Sequence, residues 1–472
     1  MPGVVISTVA TGQAGVPDID SGQIFIVGST QRGPEKEVKV VRGLADFESV
    51  FGGRLASSYT YDLIDTYFRS GGTQAQVVRL NGAGERATIT ASSRGEGIGE
   101  YEFTAPSAGA WGNEVSLVVK GTDTAPATVE VYVGTTRVHN ISAPTAQYLA
   151  MKLAKSPYVR VESYDPTAEG TDSLPAEGTY TLAGGTTTDN TPLQECLDLF
   201  TPGLGDGALL YGDPGVASEV NTLVTHAEEN RRVVLLHFEP DSADPNQIET
   251  DIDALGTSQY AAVFTPHITI LSDGVNRTVP PTGAVAGVRA FAHNNYGAHR
   301  IPAGQAGTLD YVVSSEQDYT ANEVNAIDAL RGSAIRKVNG TYRVYGYRSL
   351  SRDEVNWKYL TAQDLINRIA TQLEAQLEQF VFAPIDGKGQ LQSSIEGVAM
   401  GILADHADAG ALYPKFNDAG EQLDPGFTVD AGSSVNTTET LANNTIRLNV
   451  QLRTSPASAL IEVTIIKLAL DQ

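Results

Sequence analysis

The chain has 472 residues, 41% of them apolar, enough to fill the cores of about two to four domains. Its 56 acidic and 32 basic side chains leave a net charge of −24, which argues against DNA, RNA or an anionic membrane as the main partner and favours a basic or neutral protein surface. No apolar run approaches a membrane span, and "MPGVVISTVATG" at the N-terminus lacks a basic region followed by a helical apolar core, so neither membrane insertion nor export is expected.

In chain order, "PGVVISTVA" (2–10) is β-branched, with Val4, Val5 and Ile6 at its centre, and "TGQAGVPDIDSG" (11–22) reads as a linker. "QIFIVGSTQRGP" (23–34) predicts a strand and turn, "LADFESVFGG" (44–53) a short helix closed by glycines, "SYTYDLIDTYFRSGG" (58–72) an amphipathic helix, and "AQVVRL" (75–80) a buried strand. From about residue 86 to 183 the texture turns to Thr, Gly and Ser with alternating runs such as "TVEVYVGTTRVHNIS" (128–142), which predicts a β-sandwich-like insertion.

Helix–strand alternation then returns. "TPLQECLDLF" (191–200) and "ASEVNTLVTHAEENRR" (217–232) predict helices, while "GALLYGDP" (207–214), "VVLLHFEP" (233–240) and "YAAVFTPHITI" (260–270) predict buried strands. This βαβ rhythm implies a largely parallel sheet covered on both faces. In "VPPTGAVAGVRA" (279–290), Pro280 and Pro281 exclude a helix and Gly283 starts one. Along that helix Gly283, Ala286, Gly287 and Ala290 admit another backbone at close range.

"TAQDLINRIATQLEAQLEQF" (361–380) is a helix that Thr361 can cap with Asp364 behind it. Leu365, Ile369, Leu373, Leu377 and Phe380 form its apolar stripe, and Gln363, Arg368, Gln372, Glu374 and Glu378 lie off that stripe. Near the end, "RTSPAS" (453–458) is a breaker before the strongly β-prone "ALIEVTIIKLAL" (459–470). Chain ends fray unless something ties them down, so both apolar ends predict tethering.

The chemical motifs are few. Cys196, the sole cysteine, excludes an internal disulfide or a cysteine metal cage, favours a reducing cytoplasm, and is expected as a small buried residue. "PPTGAVAG" lacks the lysine of a phosphate loop, and there is no G-x-S-x-G elbow or H-E-x-x-H motif. His293 and His299 are six residues apart with no carboxylates to complete a metal set. Asp405, His406 and Asp408 in "LADHADAG" read as a solvated loop. No catalytic, cofactor-binding or metal-ligating residue is expected.

With these pieces in order the chain resembles the contractile tail sheath proteins of bacteriophages. The resemblance rests on "PGVVISTV", "GSTQRGP", "FGG" (51–53), "SAGAWGNEVSLVV" (107–119), "LAGGTT" (182–187), "VPPTGAVAGVRA", "VYGYRSLSRDEVNWKYL" (344–360), "FVFAPID" (380–386) and the β-rich tail, in family order along nearly the whole chain. It departs at His293 and Ala298, where the family often has an acidic residue and an aromatic. It departs again in "KYLTAQDLINRI" (358–369), which lacks the arginine pair that often follows Trp357.

The resemblance implies an α/β plus β fold whose central subtilisin-like α/β domain carries no protease site. The implied partition is an N-terminal arm and linker at 1–22, an α/β segment at 23–85, the β-sandwich-like insertion at 86–183, the subtilisin-like domain at 184–345, a C-terminal α+β domain at 346–456 and a C-terminal arm at 457–472. It also implies stacked hexameric rings around a tail tube, contraction that drives the tube through a cell envelope for genome ejection, and assembly in the host cytoplasm into a virion tail. Expected partners are the chain itself, the tube protein, and baseplate and tail terminator proteins, with no cofactor and no nucleic acid. Val4, Val5, Ile6, Leu460, Ile461, Val463, Ile465, Ile466 and Leu468 become strand donors to neighbouring subunits, and Gln363, Arg368, Gln372, Glu374 and Glu378 become tube-facing candidates. The alternatives are a non-catalytic adhesin or other virion surface protein and, behind it, a cryptic hydrolase.

Overall fold

The computed structural model describes residues 20–459 apart from 97, 122–124, 166–169, 188–189 and 239–247. All nine predicted strand-donor residues lie outside the described residues. The chain divides into two compact units, a larger one of Ser21–Phe291 with Pro302–Leu360 and a smaller one that includes Ala292–Ile301 and 361–459.

The larger unit is built on a nine-stranded sheet. In chain order its main elements are β1 (Ile24–Gly28), α1 (Thr60–Arg69), β2 (Ala75–Arg79), β3 (Gly207–Tyr211), α2 (Val216–Glu229), β4 (Arg232–His237) and β5 (Ala261–Thr265). They are followed by β6 (Ile268–Ser272), β7 (Val275–Val279), α3 (Thr282–Tyr296), β8 (Val312–Ser315), β9 (Ser333–Val338) and β10 (Thr341–Tyr345). The strands β2, β1, β3, β4, β5 and β9 are neighbours in that order and all parallel, and antiparallel pairs close both margins. Every residue of β1 to β5 is buried. Such strands read as unbroken apolar runs because helices cover both faces of a parallel sheet.

On one face, Phe25, Leu209, Val234, Leu236 and Val263 pack with Val220 and Leu223 of α2 in a single apolar cluster. On the other, α3 meets α1. A Cβ added at Gly283 would overlap the Leu63 carbonyl and Thr66, and one added at Gly287 would overlap the Tyr67 carbonyl and Ser70. The small-residue helix predicted from the sequence is thus a close helix–helix contact. β6, β7 and β8 form a separate three-stranded sheet, tied to α1 by Arg54, which bonds Asp62 at 2.8 Å, Asp273 at 2.7 Å and Ser272 at 2.9 Å.

Residues 86–183 hold a four-stranded and a three-stranded antiparallel sheet with the helix Ala146–Leu153. All three share one apolar core running from Ala87 to Leu182. Alternation places Val115, Leu117 and Val119 inward opposite Val129 and Val131, as a half-buried antiparallel sheet requires. Thr145 caps the helix by accepting from the Tyr148 N–H. This module belongs to the larger unit: Gly33 N–H donates to Ser107 Oγ at 3.1 Å, and the Arg32 guanidinium stacks 4.6 Å from the Tyr158 ring centre.

Strand β4 begins at a fully buried arginine. Arg232 donates to the Phe200 carbonyl at 2.6 Å and the Thr201 carbonyl at 2.8 Å, and lies 3.7 Å over the Phe25 ring. It also lies 2.6 Å from His226 Nε2, so the imidazole accepts on a lone pair. Burial, reinforced by that adjacent charge, holds His226 down at about 4. A depressed imidazole contributes stability that is intact above the ordinary value near 6.5 and is lost as pH falls toward 4. Between pH 7.5 and 5.0 the loss attached to His226 is expected to be about 2 kcal/mol. His226→Gln keeps an acceptor for Arg232 and should remove that share of the acid dependence in urea melts at the two pH values; an unchanged dependence would refute the assignment.

The smaller unit contains α4 (Thr361–Leu377), α5 (Gln390–Asp408), β11 (Phe427–Asp430) and β12 (Asn449–Leu452). Leu365 and Ile369 of α4, Leu403 of α5, Ala411 and Leu412 form its buried core, with Leu373, Phe427, Val429, Val450 and Leu452 packed against them. β11 and β12 pair antiparallel from Phe427↔Leu452 to Asp430↔Asn449. Among the described residues no third strand joins this pair. A two-stranded sheet alone is marginal in water, and just past β12 the chain bonds back to residues 411–413, with Tyr413 N–H donating to the Arg453 carbonyl at 2.8 Å and Ser455 N–H to the Ala411 carbonyl at 2.9 Å.

Candidate functional site

Helix α4 carries the candidate tube-facing residues, and its structure corrects one of them. Gln363 is only 3% exposed, and its amide donates to Asn367 Oδ1 at 2.8 Å one turn on. It cannot present itself to a partner. Glu374 and Glu378 are exposed, whereas Arg368 and Gln372 are half-buried. Gln372 Oε1 lies 2.7 Å from His406 Nε2, so the imidazole N–H holds the amide against α5.

The expected cap is also absent. Thr361 is already in the first turn of α4, and its Oγ1 is buried without a hydrogen-bond partner. Asp364 turns inward instead, with Oδ2 3.7 Å from His293 Nε2 in a buried pair. The apolar stripe is deepest at Leu365 and Ile369, while Leu377 and Phe380 are only half-buried. A short 3₁₀ turn, Glu378–Phe380, ends the helix.

"LADHADAG" is not a loop. Asp405, His406 and Asp408 lie in the last turns of α5, which stops where Gly410 adopts φ +78°. Burial first, then the nearby Arg368 and His299, lowers the His406 pKa; burial, then Arg300, lowers that of His299. Both therefore favour the neutral imidazole. Among the described residues no group of three His, Cys, Asp or Glu side chains is arranged to hold a metal ion.

Cys196 is buried, and burial pushes its thiol up to about 11, which keeps it protonated and unreactive. Thr282 Oγ1 lies 3.5 Å from His237 Nδ1, but both residues are buried and closed to a substrate. A cavity of about 330 Å³ at the carboxyl ends of β1 and β3 is lined by Ser29, Asn81, Tyr211 and Asp213 among others. That is where open α/β sheets usually bind ligands. Here the Asp213 carboxylate accepts from the Ser29 N–H at 2.8 Å and Oγ–H at 2.5 Å, and Asn81 brackets the Thr30 backbone. These groups hold the strand ends in place.

Two exposed features escaped the sequence reading. The β11–β12 pair could have been seen in the alternation of "FTVD" and "NVQL". Phe382 is fully exposed at φ +64° beside a half-exposed Val381, and nothing in "FVFAPID" distinguishes it from the helix that precedes it.

No protein-family model matches the chain, and no curated protein matches it in sequence. Solved structures do match. The sheath tail protein from Desulfitobacterium hafniense superposes with a TM-score of 0.61 at 16% identity, over 91% of this chain and 93% of that one. The chain has the tail-sheath fold. The sheath of the extracellular contractile injection system PVC, in its contracted state, matches with a TM-score of 0.58 at 14% identity over 100% of this chain and 99% of that one. The contracted helical sheath of the anti-feeding prophage matches at 0.59 and 15% identity, over 100% and 99%. The sheath fold therefore accounts for both units and for the β-rich module between β2 and β3, in agreement with the resemblance carried by the motifs.

Proposed function

We propose that this chain is a structural subunit of a contractile sheath, which polymerises as stacked hexameric rings around a tail tube and contracts to drive the tube through a target envelope. The observation that carries this reading is the match in fold to sheath proteins over nearly the full length of both chains, including two solved as contracted sheath assemblies. In this reading the doubly covered parallel sheet is the subtilisin-like body without a protease site, and residues 86–183 form its protrusion. Residues 346–456 form the domain that faces the tube, with Arg368, Gln372, Glu374 and Glu378 as the remaining tube-facing candidates.

The apolar arms supply the cohesion. Val4, Val5 and Ile6 at one end, and Leu460, Ile461, Val463, Ile465, Ile466 and Leu468 at the other, complete sheets in neighbouring copies by strand addition. The two-stranded β11–β12 sheet is the acceptor in each. Assembly takes place in the host cytoplasm, with the tube as template and baseplate and terminator proteins closing the ends of a tail. No nucleic acid, cofactor or catalysis is involved.

Negative-stain microscopy of the concentrated purified chain tests the reading, with tubes or stacked rings of uniform diameter as the expected result. Discrete particles at every concentration, with and without tube protein, would overturn it.

A further inference from the structure

Buried polar atoms in folded proteins almost always find partners, so a cluster of exceptions calls for a cause. In the larger unit, His237 Nε2 and both ring nitrogens of His267 are buried without a hydrogen bond. The two rings lie 5.8 Å apart, and Tyr59 packs against both, at 6.0 Å from His237 and 6.1 Å from His267. Glu316 completes the cluster. Its Oε2 accepts from the His267 backbone N–H at 3.3 Å, while its Oε1 stands 3.4 Å from His267 Nδ1 without hydrogen-bond alignment.

Five pieces of chain meet here. His237 ends β4, His267 follows β5 and leads into β6, and Tyr59 precedes α1. Glu316 follows β8, and Thr282, 3.5 Å from His237 Nδ1, opens α3. Among the described residues the titratable groups shown facing His267 are His237, Tyr59 and Glu316, and of these three Glu316 is the carboxylate. The opposite end of β4 is built the other way. There His226 faces the Arg232 guanidinium at 2.6 Å, and a proton would place two cations in contact.

We propose that His267 and Glu316 form a proton-operated latch on the larger unit: a proton taken from solvent by His267 creates a buried ion pair with Glu316 that turns the imidazole away from His237 and Tyr59. At neutral pH the latch is closed. The rings of Tyr59, His237 and His267 pack edge-on and tilted, and hold the ends of β4 and β5, the start of α3 and the β6–β7–β8 sheet together. In acid the Nδ1–H of His267 donates to Glu316 Oε1, the ring contacts are lost, and this junction opens locally while the rest of the sheet keeps its register. The device is a property of the single chain and is read without any polymer, so its failure and that of the sheath reading are separable.

Hydrogen–deuterium exchange of the dispersed full chain at pH 7.5 and 5.5, corrected for the intrinsic pH dependence of exchange, tests it. At pH 5.5 protection in peptides covering 262–284 and 312–318 should fall about tenfold. Peptides over 127–143, in the β-rich module, should keep theirs. His267→Gln should abolish the fall, and His226→Gln should leave it intact. Should His267→Gln fail to fold, Glu316→Gln serves, since it keeps an acceptor for the backbone and removes the charge that draws the ring; its fall should shrink below about twofold. Unchanged protection in the parent, or a tenfold fall that survives either latch substitution, would overturn the proposal.

Discussion

Gly287→Val should destabilise the larger unit by about 3 kcal/mol, near the upper end for overpacking a contact that cannot expand. The obstruction is backbone. An added Cβ at Gly287 meets the Tyr67 carbonyl, and at Gly283 the Leu63 carbonyl and Cα, so no rotamer change relieves it and α3 must lift from α1. Trp111 and Trp357, the two tryptophans of the chain, both lie in that unit, and their fluorescence in urea melts reports the loss. Gly397→Ala on the exposed face of α5, where an added Cβ meets nothing within 4 Å, is the control. It lies in the smaller unit, so the tryptophan-reported midpoint should stay at the parent value while helix propensity stabilises α5 by about 0.5–1 kcal/mol. A valine at 287 that costs less than about 0.5 kcal/mol would show that the helices are not in backbone contact.

The same contact shows what was legible in the sequence. Two prolines followed by Gly and Ala at helical spacing can only serve close packing or a ligand, and the missing lysine removed the phosphate option. The buried runs around 24–28, 75–79, 207–211, 232–237 and 261–265 also announced a parallel sheet, since nothing but helices on both faces hides every residue of a strand.

Elsewhere a short window of sequence lacks the context that decides its structure. "YAAVFTPHITI" looks like one strand, but Pro266 splits it into β5 and β6, which belong to different sheets. Gln363, polar and off the apolar stripe, reads as outward-facing. His293, some seventy residues earlier, draws Asp364 inward, and Asn367 satisfies Gln363 in place of water. "LADHADAG" has loop composition, yet its first six residues complete the nineteen-residue helix Gln390–Asp408, and only its last glycine is punctuation.

Removing residues 459–472 is expected to leave a folded, dispersed chain that forms no tubes. Full burial of Leu460, Ile461, Val463, Ile465, Ile466 and Leu468 contributes roughly 9–18 kcal/mol at about 1.5–3 each. Ordering about ten residues opposes this with roughly 10–20 kcal/mol of backbone entropy, so one arm engaging one neighbour is near neutral. Cohesion then arises only when several arms engage one lattice and each further contact becomes effectively intramolecular. Loss of the arm should therefore be all-or-none at any practical concentration, unlike the graded weakening expected from trimming a flat interface. On the proposed strand donation the arm is not part of its own chain's core, so the urea midpoint of the truncated chain, followed by circular dichroism to cover both units, should match the parent. Val463→Asp with Ile465→Asp, which keeps the length and charges one face of the strand, should behave like the truncation. Parent-length tubes from either variant would sink strand donation by the C-terminal arm, and a fallen midpoint would place the arm in the core of its own chain.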